Sequence, residues 1–218
     1  MIVKNKVLLF LIGSLFFSTT APAQIHLLRN YELGRSIASK SGRLMVMDFW
    51  ASWCRPCKDM DVELWQNPET QKFATYFVGV RVNAETEHSL VKKYQANSLP
   101  KVVITTVNGD IIWVKEGYDE ARTFIHVFEA LPPSVDELNK HLLILATNKN
   151  DLQANYAAGL EFQRLGKTNN NKQLKNAFLK NSDIYLQRAS KLNPDSLLNE
   201  QIELMSTANK ELLDQLKK

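Results

Sequence analysis

Two cysteines separated by two residues, Cys54 and Cys57, constrain this 218-residue chain more than any other feature, and they are its only cysteines. They follow an almost wholly apolar run, residues 44–50, which is typical of a strand buried on both faces. Residues 58–65 then mix apolar and charged side chains as an amphipathic helix does. A C-x-x-C pair at such a turn places the first thiol at a helix N-terminus, where unpaired N–H groups and the dipole favour an anion. The spacing therefore predicts a reactive thiolate at Cys54.

The residues around the cysteines carry a family resemblance. Residues 49–58, Phe-Trp-Ala-Ser-Trp-Cys-Arg-Pro-Cys-Lys, resemble the thioredoxin active-site signature, which normally has Gly at the position of Arg55. The likeness continues through Asp48, Leu99-Pro100 and the hairpin that follows, and it covers residues 30–131. The resemblance implies a thioredoxin fold, with a mixed central sheet flanked by helices, and thiol–disulfide oxidoreductase activity.

The resemblance also implies catalytic roles. Cys54 is expected to attack a disulfide, and the more buried Cys57 to resolve the mixed disulfide. Asp48, a carboxylate in an apolar strand, is expected to accept the proton of Cys57. The alternative for Asp48 is a carboxylate at a strand end that reaches water. Arg81 falls where it could pair with Asp48.

Other residues are expected to bind substrate. Pro100 matches the family's cis-proline, and Leu99 would offer its backbone to an extended substrate chain. Trp53 is expected to form an apolar platform beside Cys54, whereas Trp50 is either a second flank of the site or core. Two more residues are expected at the substrate-binding site. Pro56 restricts the turn, and Arg55 either stabilises the thiolate or is merely solvated.

Other uses of the cysteines are less favoured. A bridge across two intervening residues closes a tiny loop and constrains little unfolded-chain entropy, which argues against a structural staple. The four histidines are scattered, with no second ligand pair at metal spacing, so no zinc site is expected. The chain is therefore predicted to use neither a metal nor a bound cofactor.

Residues 1–23 have the layout of a secretory signal peptide. Lys4 and Lys6 form a basic region, residues 7–17 an apolar core, and 21–23 a small-residue cleavage site, so cleavage is expected before Gln24. The alternative is an uncleaved membrane anchor, although the apolar stretch is shorter than the about 20 residues of a membrane span. The protein is therefore expected in the periplasm or another extracytoplasmic space.

The expected partners follow from charge and from the resemblance. Removal of the signal peptide leaves 25 basic and 23 acidic residues, a near balance that offers no case for nucleic-acid binding. The implied substrates are protein disulfides, and the implied electron donor is a membrane-bound or extracytoplasmic thiol. Residues 65–69 resemble part of the thioredoxin-like C-terminal domain of membrane disulfide-reducing transporters.

Residues 24–131 alternate helix-like and strand-like segments, which favours an α/β domain. A strong two-residue hairpin signal, Asn108-Gly109, joins the last two strands. The expected helices are 31–40, 88–95 and 119–131, and the expected strands are 44–50, 77–82, 102–107 and 111–114.

Pro132-Pro133 marks a boundary, after which residues 132–218 form an all-α domain in the sequence pattern. Residues 134–137 have the spacing of a capping box, Gly166 fits a helix end, and residues 194–196 fit a break and restart. The expected helices are 134–147, 152–165, 173–192 and 196–217.

Two of these helices resemble a tetratricopeptide repeat. A plain helical bundle is the simpler interpretation, because stacked repeats need about three units. The residues that carry the likeness are Tyr156, Gly159, Phe162, Leu186, Ala189 and Pro194.

The sequence thus predicts an exported oxidoreductase that reduces or exchanges protein disulfides. A disulfide oxidase or isomerase is an alternative, since redox direction depends on tens of millivolts. A further alternative is a helical binding or scaffold protein that uses the thioredoxin-like domain as an interaction platform. The helices after residue 132 are expected to offer non-covalent contacts to a protein partner.

Overall fold

The computed structural model describes residues 25–193 and 196–217. The expected signal peptide, its cleavage site before Gln24 and the expected helix break at Pro194-Asp195 lie outside the described residues. Within the described ranges, no helix combines the length and the apolar character that crossing a membrane requires.

A mixed four-stranded sheet, counted over the described residues, forms the centre of the N-terminal part. β1 lies inside the sheet, parallel to β2 and antiparallel to β3, and β4 pairs antiparallel with β3 at one edge. The first six residues of β1 are all buried, which explains why its sequence is apolar without alternation. The strands are β1 (Leu44–Trp50), β2 (Phe77–Asn83), β3 (Lys101–Thr105) and β4 (Ile111–Glu116).

Five helices accompany this sheet in the described N-terminal part. The helix after the cysteines continues through a π-helical turn, Asp61–Trp65, and ends before Asn67, whose side chain caps the next helix by accepting from Glu69 N–H. The helices are α1 (Tyr31–Ser41), α2 (Arg55–Met60), α3 (Pro68–Gln71), α4 (His88–Lys93) and α5 (Ala121–Glu129).

The hairpin between β3 and β4 is present, but the predicted two-residue turn is wrong. Thr106 N–H donates to the Asp110 carbonyl and Gly109 N–H donates to the Thr106 carbonyl, each at 3.0 Å, which leaves a loop of three residues. Gly109 has a φ of 89°, a conformation that favours glycine. The extra loop residue is Val107, which is buried in the core. Core packing therefore decided the loop length.

The C-terminal region is helical, as predicted, with α6 (Asp136–Thr147), α7 (Leu152–Thr168), α8 (Lys172–Leu192) and α9 (Ser196–Gln215). The expected capping box is not formed. Ser134 Oγ instead accepts a hydrogen bond from Asp136 N–H, the first residue of α6, at 3.2 Å. The boundary at Pro132-Pro133 falls between α5 and α6.

Two glycines let α7 and α8 pack closely as an antiparallel pair. Gly166 is not at a helix end, as the sequence suggested, but inside α7, seven residues after Gly159 and on the same face. A Cβ atom at Gly159 would lie 2.7 Å from Leu186 Cγ, and one at Gly166 would lie 2.8 Å from Leu179 Cγ. The absence of side chains at both positions brings the helices together, and Phe162 packs on Tyr185 with ring centroids 5.3 Å apart.

The helical region shares a hydrophobic core with the sheet. One cluster of buried side chains includes Ile104 of β3 and Tyr185 of α8. A polar contact holds α8 against the edge strand β4, where Asn181 Nδ2 donates a hydrogen bond to the Ile111 carbonyl at 3.1 Å. A covered edge strand is protected from pairing with another chain.

We expect Gly159→Ala to lower the free energy of unfolding by about 1–2 kcal/mol, because overpacking against α8 outweighs the better helix propensity of alanine. Chemical denaturation measures this change. In the Leu186→Ala background the same substitution should cost less, since the clashing side chain is gone. Strictly additive effects of the two substitutions would contradict the proposed close contact.

Candidate active site

Cys54 and Cys57 form a disulfide in this structure, at the turn between β1 and α2. Cys54 is the N-cap of α2, and its Sγ accepts a hydrogen bond from Cys57 N–H at 3.3 Å. Cys54 N–H in turn donates to the Ala51 carbonyl at 3.1 Å, which closes the turn. This is the position that the spacing of the two cysteines predicted.

The two sulfur-bearing residues differ in access to solvent. Both residues are buried in the oxidised pair, and only Cys54 keeps a small solvent contact, with 3% exposure against 0% for Cys57. Both pack in a small apolar cluster with Ala51, against which Trp50 and Leu99 also lie. The geometry therefore fits Cys54 as the attacking thiol and Cys57 as the resolving thiol.

The loop before β3 reaches the cysteine cluster. The Leu99–Pro100 peptide bond is cis, the isomer that the resemblance implied. Leu99 is half-buried against the cluster, and the Pro100 carbonyl accepts from Gly117 N–H at 2.8 Å beside the sheet. The structure thus brings together two predicted site segments that are more than 40 residues apart in sequence.

The predicted substrate-contacting side chains surround the cysteines at the surface. Trp53 is 70% exposed, a large apolar area next to Cys54. Arg55 and Pro56 are also exposed, on the first turn of α2. Val62, on the π-helical turn, adds a further exposed apolar side chain that the sequence analysis did not single out.

Asp48 is fully buried in β1, so the alternative that it reaches water is wrong. Neither of its carboxylate oxygens has a hydrogen-bond partner among the described residues. Burial raises the pKa of Asp48 to about 7, whereas the positive charge of Arg81 acts to lower it. This carboxyl group can therefore hold or release a proton near neutral pH.

Arg81 connects Asp48 to two further residues. Its Nε lies 3.7 Å from Asp48 Oδ2, which is the expected pairing, but its shorter contact is a hydrogen bond from Nη2 to Asp61 Oδ2 at 2.8 Å. Its guanidinium also lies 4.3 Å from the centre of the Trp50 ring. Trp50 is thus a half-buried flank of the site and not core.

Asp61 is a site residue that the sequence analysis missed. It follows Cys57 by four residues, and side chains at that spacing on a helix lie on the same face. Its negative charge contributes to the raised pKa of Asp48. Arg81 therefore links Asp48 to the helical segment that follows Cys57, and the four-residue spacing was the signal that could have identified Asp61.

Glu85 is a second missed residue, and it supports the loop before the cysteines. Its carboxylate accepts from Ser52 N–H at 2.8 Å and from Ser52 Oγ at 3.1 Å. The two residues are 33 positions apart, and no local pattern indicates the contact. Glu85 helps to hold the turn that presents Cys54.

The thioredoxin family model matches residues 25–130. Thioredoxin-1 of Drosophila yakuba is 30% identical over 74 residues, which cover 34% of this chain and 67% of that protein. The chain belongs to the thioredoxin family. With its Cys54–Cys57 pair it is a thiol–disulfide oxidoreductase, and α6 to α9 lie outside the matched region.

This thioredoxin-family protein is also similar to a thiol:disulfide interchange protein and to a solved thioredoxin structure. The thiol:disulfide interchange protein DsbD of Cronobacter sakazakii is 26% identical over 85 residues, which cover 37% of this chain and 15% of that protein. The solution structure of a thioredoxin from Thermus thermophilus aligns over 49% of this chain and 86% of the thioredoxin chain, with a TM-score of 0.44 and 17% identity.

In the described residues, no group of three or more His, Cys, Asp or Glu side chains is arranged to hold a metal ion.

We expect Asp48→Asn to stabilise the protein at alkaline pH. The pKa of Asp48 rises from 3.8 to about 7 on folding, so between these values the folded state binds more protons than the unfolded state. The contribution of Asp48 to stability is therefore greatest at acidic pH and is lost as the pH rises through 7. Asparagine does not ionise, so the gain near pH 8 should approach about 4 kcal/mol at most and should be small near pH 4.

Denaturant unfolding of the oxidised protein at both pH values measures this difference. Asp59→Asn, which changes an exposed carboxylate on α2, serves as the control and should change stability little at either pH. An equal gain for Asp48→Asn at both pH values would contradict the assignment of the raised pKa.

Proposed function

We propose that this protein is an exported oxidoreductase that reduces or exchanges disulfides of other proteins through Cys54 and Cys57. The observation that carries the proposal is the combination of a Cys54–Cys57 pair whose first cysteine is the N-cap of a helix with a buried carboxyl group, Asp48, whose pKa is about 7. A structural disulfide would not need the costly burial of Asp48.

The proposed reaction starts from the reduced pair. The Cys54 thiolate attacks one sulfur of a substrate disulfide, which forms a mixed disulfide and releases the other substrate sulfur as a thiolate. Cys57 then attacks Cys54 Sγ, which forms the intramolecular disulfide seen in this structure and releases the second substrate sulfur. Two electrons pass from the protein to the substrate, and an external thiol must restore the reduced pair.

Asp48 is the proposed proton acceptor for Cys57. The thiol of Cys57 must lose its proton before it attacks, and it has no access to solvent. Asp48 is linked through Arg81 to Asp61, four residues after Cys57, and its pKa of about 7 matches proton transfer at neutral pH. The adjacent Arg81 stabilises the ionised form of Asp48 that accepts the proton.

The surface around Cys54 is the proposed substrate-binding region. Trp53 offers an exposed apolar ring, and Leu99, which packs against the cysteine cluster, is proposed to offer its backbone to an extended chain. Pro56 shapes the first turn of α2. Arg55 adds an exposed positive charge next to Cys54, which favours the thiolate.

Export and the electron donor are proposed from sequence and from one relative. The signal-peptide pattern of residues 1–23 supports transfer out of the cytoplasm. The relative named thiol:disulfide interchange protein supports thiol–disulfide exchange as the way in which electrons arrive. We therefore propose a membrane-bound or extracytoplasmic thiol as the donor.

We expect Cys57→Ser to trap substrates as stable mixed disulfides on Cys54, because the resolving thiol is absent. Non-reducing gels and mass spectrometry of the exported fraction measure the trapped species. Cys54→Ser is the matched control and should trap little, since the remaining sulfur is buried. The full chain is used, because removal of α6 to α9 would uncover the core that they share with the sheet.

The trapping result separates the candidate functions. Trapped proteins with reducible cysteine pairs support the oxidoreductase that acts on protein disulfides. A lack of mixed disulfides in both variants would contradict it and favour the use of the thioredoxin-like part as an interaction platform.

We expect the mature protein to begin at Gln24, because Ala21 and Ala23 provide the small residues of a cleavage site. Intact-mass measurement of the protein from the exported fraction checks this. A mass that includes residues 1–23 in a membrane fraction would contradict cleavage and support the anchor.

A further inference from the structure

A cleft of about 750 Å³ separates the sheet from the helical region at the end of the sheet opposite to the cysteines. The β3–β4 hairpin forms one of its walls. β3 ends at Thr105, which pairs with Met45 near the start of β1, whereas Cys54 follows the end of β1. The length of β3 thus places the cleft on the order of 17 Å or more from the redox site. The volume is within the usual range of ligand-binding pockets.

Positive charges dominate the lining of the cleft. The negative charges are two carboxylates, those of Glu32 and Asp110. Five cationic side chains come from three helices and one loop: Arg35 of α1, Lys93 of α4, Lys149 before α7, and Arg188 and Lys191 of α8. A concave surface lined by charges of one sign concentrates ligands of the opposite sign.

Both carboxylates are already occupied by neighbouring groups. Asp110 accepts hydrogen bonds from Tyr185 OH at 2.9 Å and 3.0 Å and from Thr106 Oγ1 at 2.6 Å. Glu32 lies 3.6 Å from the guanidinium of Arg35. Asp110 is therefore held by its own hairpin and by Tyr185 of α8, and Glu32 is held by Arg35 of its own helix.

The other cations remain available to a ligand. No ion pair among residues 25–193 and 196–217 involves Lys149, Arg188 or Lys191. Arg188 lies over the ring of Tyr185 at 5.0 Å, and Lys93 lies over that of Tyr31 at 5.9 Å. Such contacts orient a cation without neutralising its charge.

We propose that this cleft binds an acidic segment of a partner polypeptide, whose carboxylates contact Lys149, Arg188 and Lys191. Cations contributed by separate elements match several carboxylates along one flexible chain better than they match a single small anion. The partner would remain bound while Cys54 reacts, because the two sites lie at opposite ends of the sheet. The proposal does not depend on the redox function.

Fluorescence anisotropy with labelled hexaglutamate tests the proposal, with hexaglutamine as the uncharged probe. The wild-type protein should bind hexaglutamate, with affinity that falls as salt is raised, and should not bind hexaglutamine. The double variant Lys149→Glu/Lys191→Glu should bind about tenfold more weakly, because two attractive contacts become repulsive.

The matched control is Lys180→Glu/Lys210→Glu, which changes the net charge equally at two exposed lysines outside the cleft. It should bind hexaglutamate within about twofold of the wild type. Reduction of insulin disulfides should be unchanged in both double variants, which shows that they are folded. Equal losses in both double variants, or no binding by the wild type, would overturn the proposal. Binding of citrate that depends on Lys149 and Lys191, without binding of hexaglutamate, would also overturn it.

Discussion

The burial of one carboxyl group, Asp48, is the constraint on which the redox site depends. β1 must be apolar to sit inside the sheet, and a carboxylate there loses its hydration without gaining a hydrogen bond. The cost appears as a pKa near 7, which suits a group that exchanges a proton with a buried thiol. Arg81 limits the cost, and it also ties β2 to the helix that carries the cysteines through Asp61.

The C-terminal helices pack on the thioredoxin-family part of the chain and share its hydrophobic core. α8 covers the edge strand β4, and the core of the sheet continues into the helices. The close packing of α7 on α8, which Gly159 and Gly166 permit, gives this covering layer a defined shape. The redox site and the cationic cleft therefore lie at opposite ends of the sheet.

These two surfaces differ in their chemistry. The redox end is apolar and cysteine-based, with an exposed Trp53 beside Cys54 and with Leu99 packed against the cysteine cluster. The other end is a cationic cleft built jointly by the hairpin, α1 and α8. The proposed role of the first is to bind a protein disulfide, and the proposed role of the second is to bind an acidic chain. A protein with a redox site and a separate binding cleft can combine thiol–disulfide exchange with selection of a partner.

The sequence alone determined the features that local chemistry controls. The cysteine spacing and the apolar run identified the redox turn and β1, because a buried strand needs apolar residues on both faces and a helix start favours a thiolate. Capping and breaking residues placed most helix ends within a few positions. The family resemblance supplied the proposed role of Asp48 and the expected cis isomer at Pro100, which the structure has.

Tertiary structure decided whatever depends on distant residues. The Glu85 carboxylate meets Ser52 across 33 positions, and Asn181 meets Ile111 across 70, so no local pattern could reveal either contact. The hairpin gained a residue because Val107 enters the core, and Gly166 stayed inside a helix because α8 packs against it. The cationic cleft exists only because folding brings α1, the hairpin and α8 together. Each of these features depends on packing energy between separate segments, which residue order does not display.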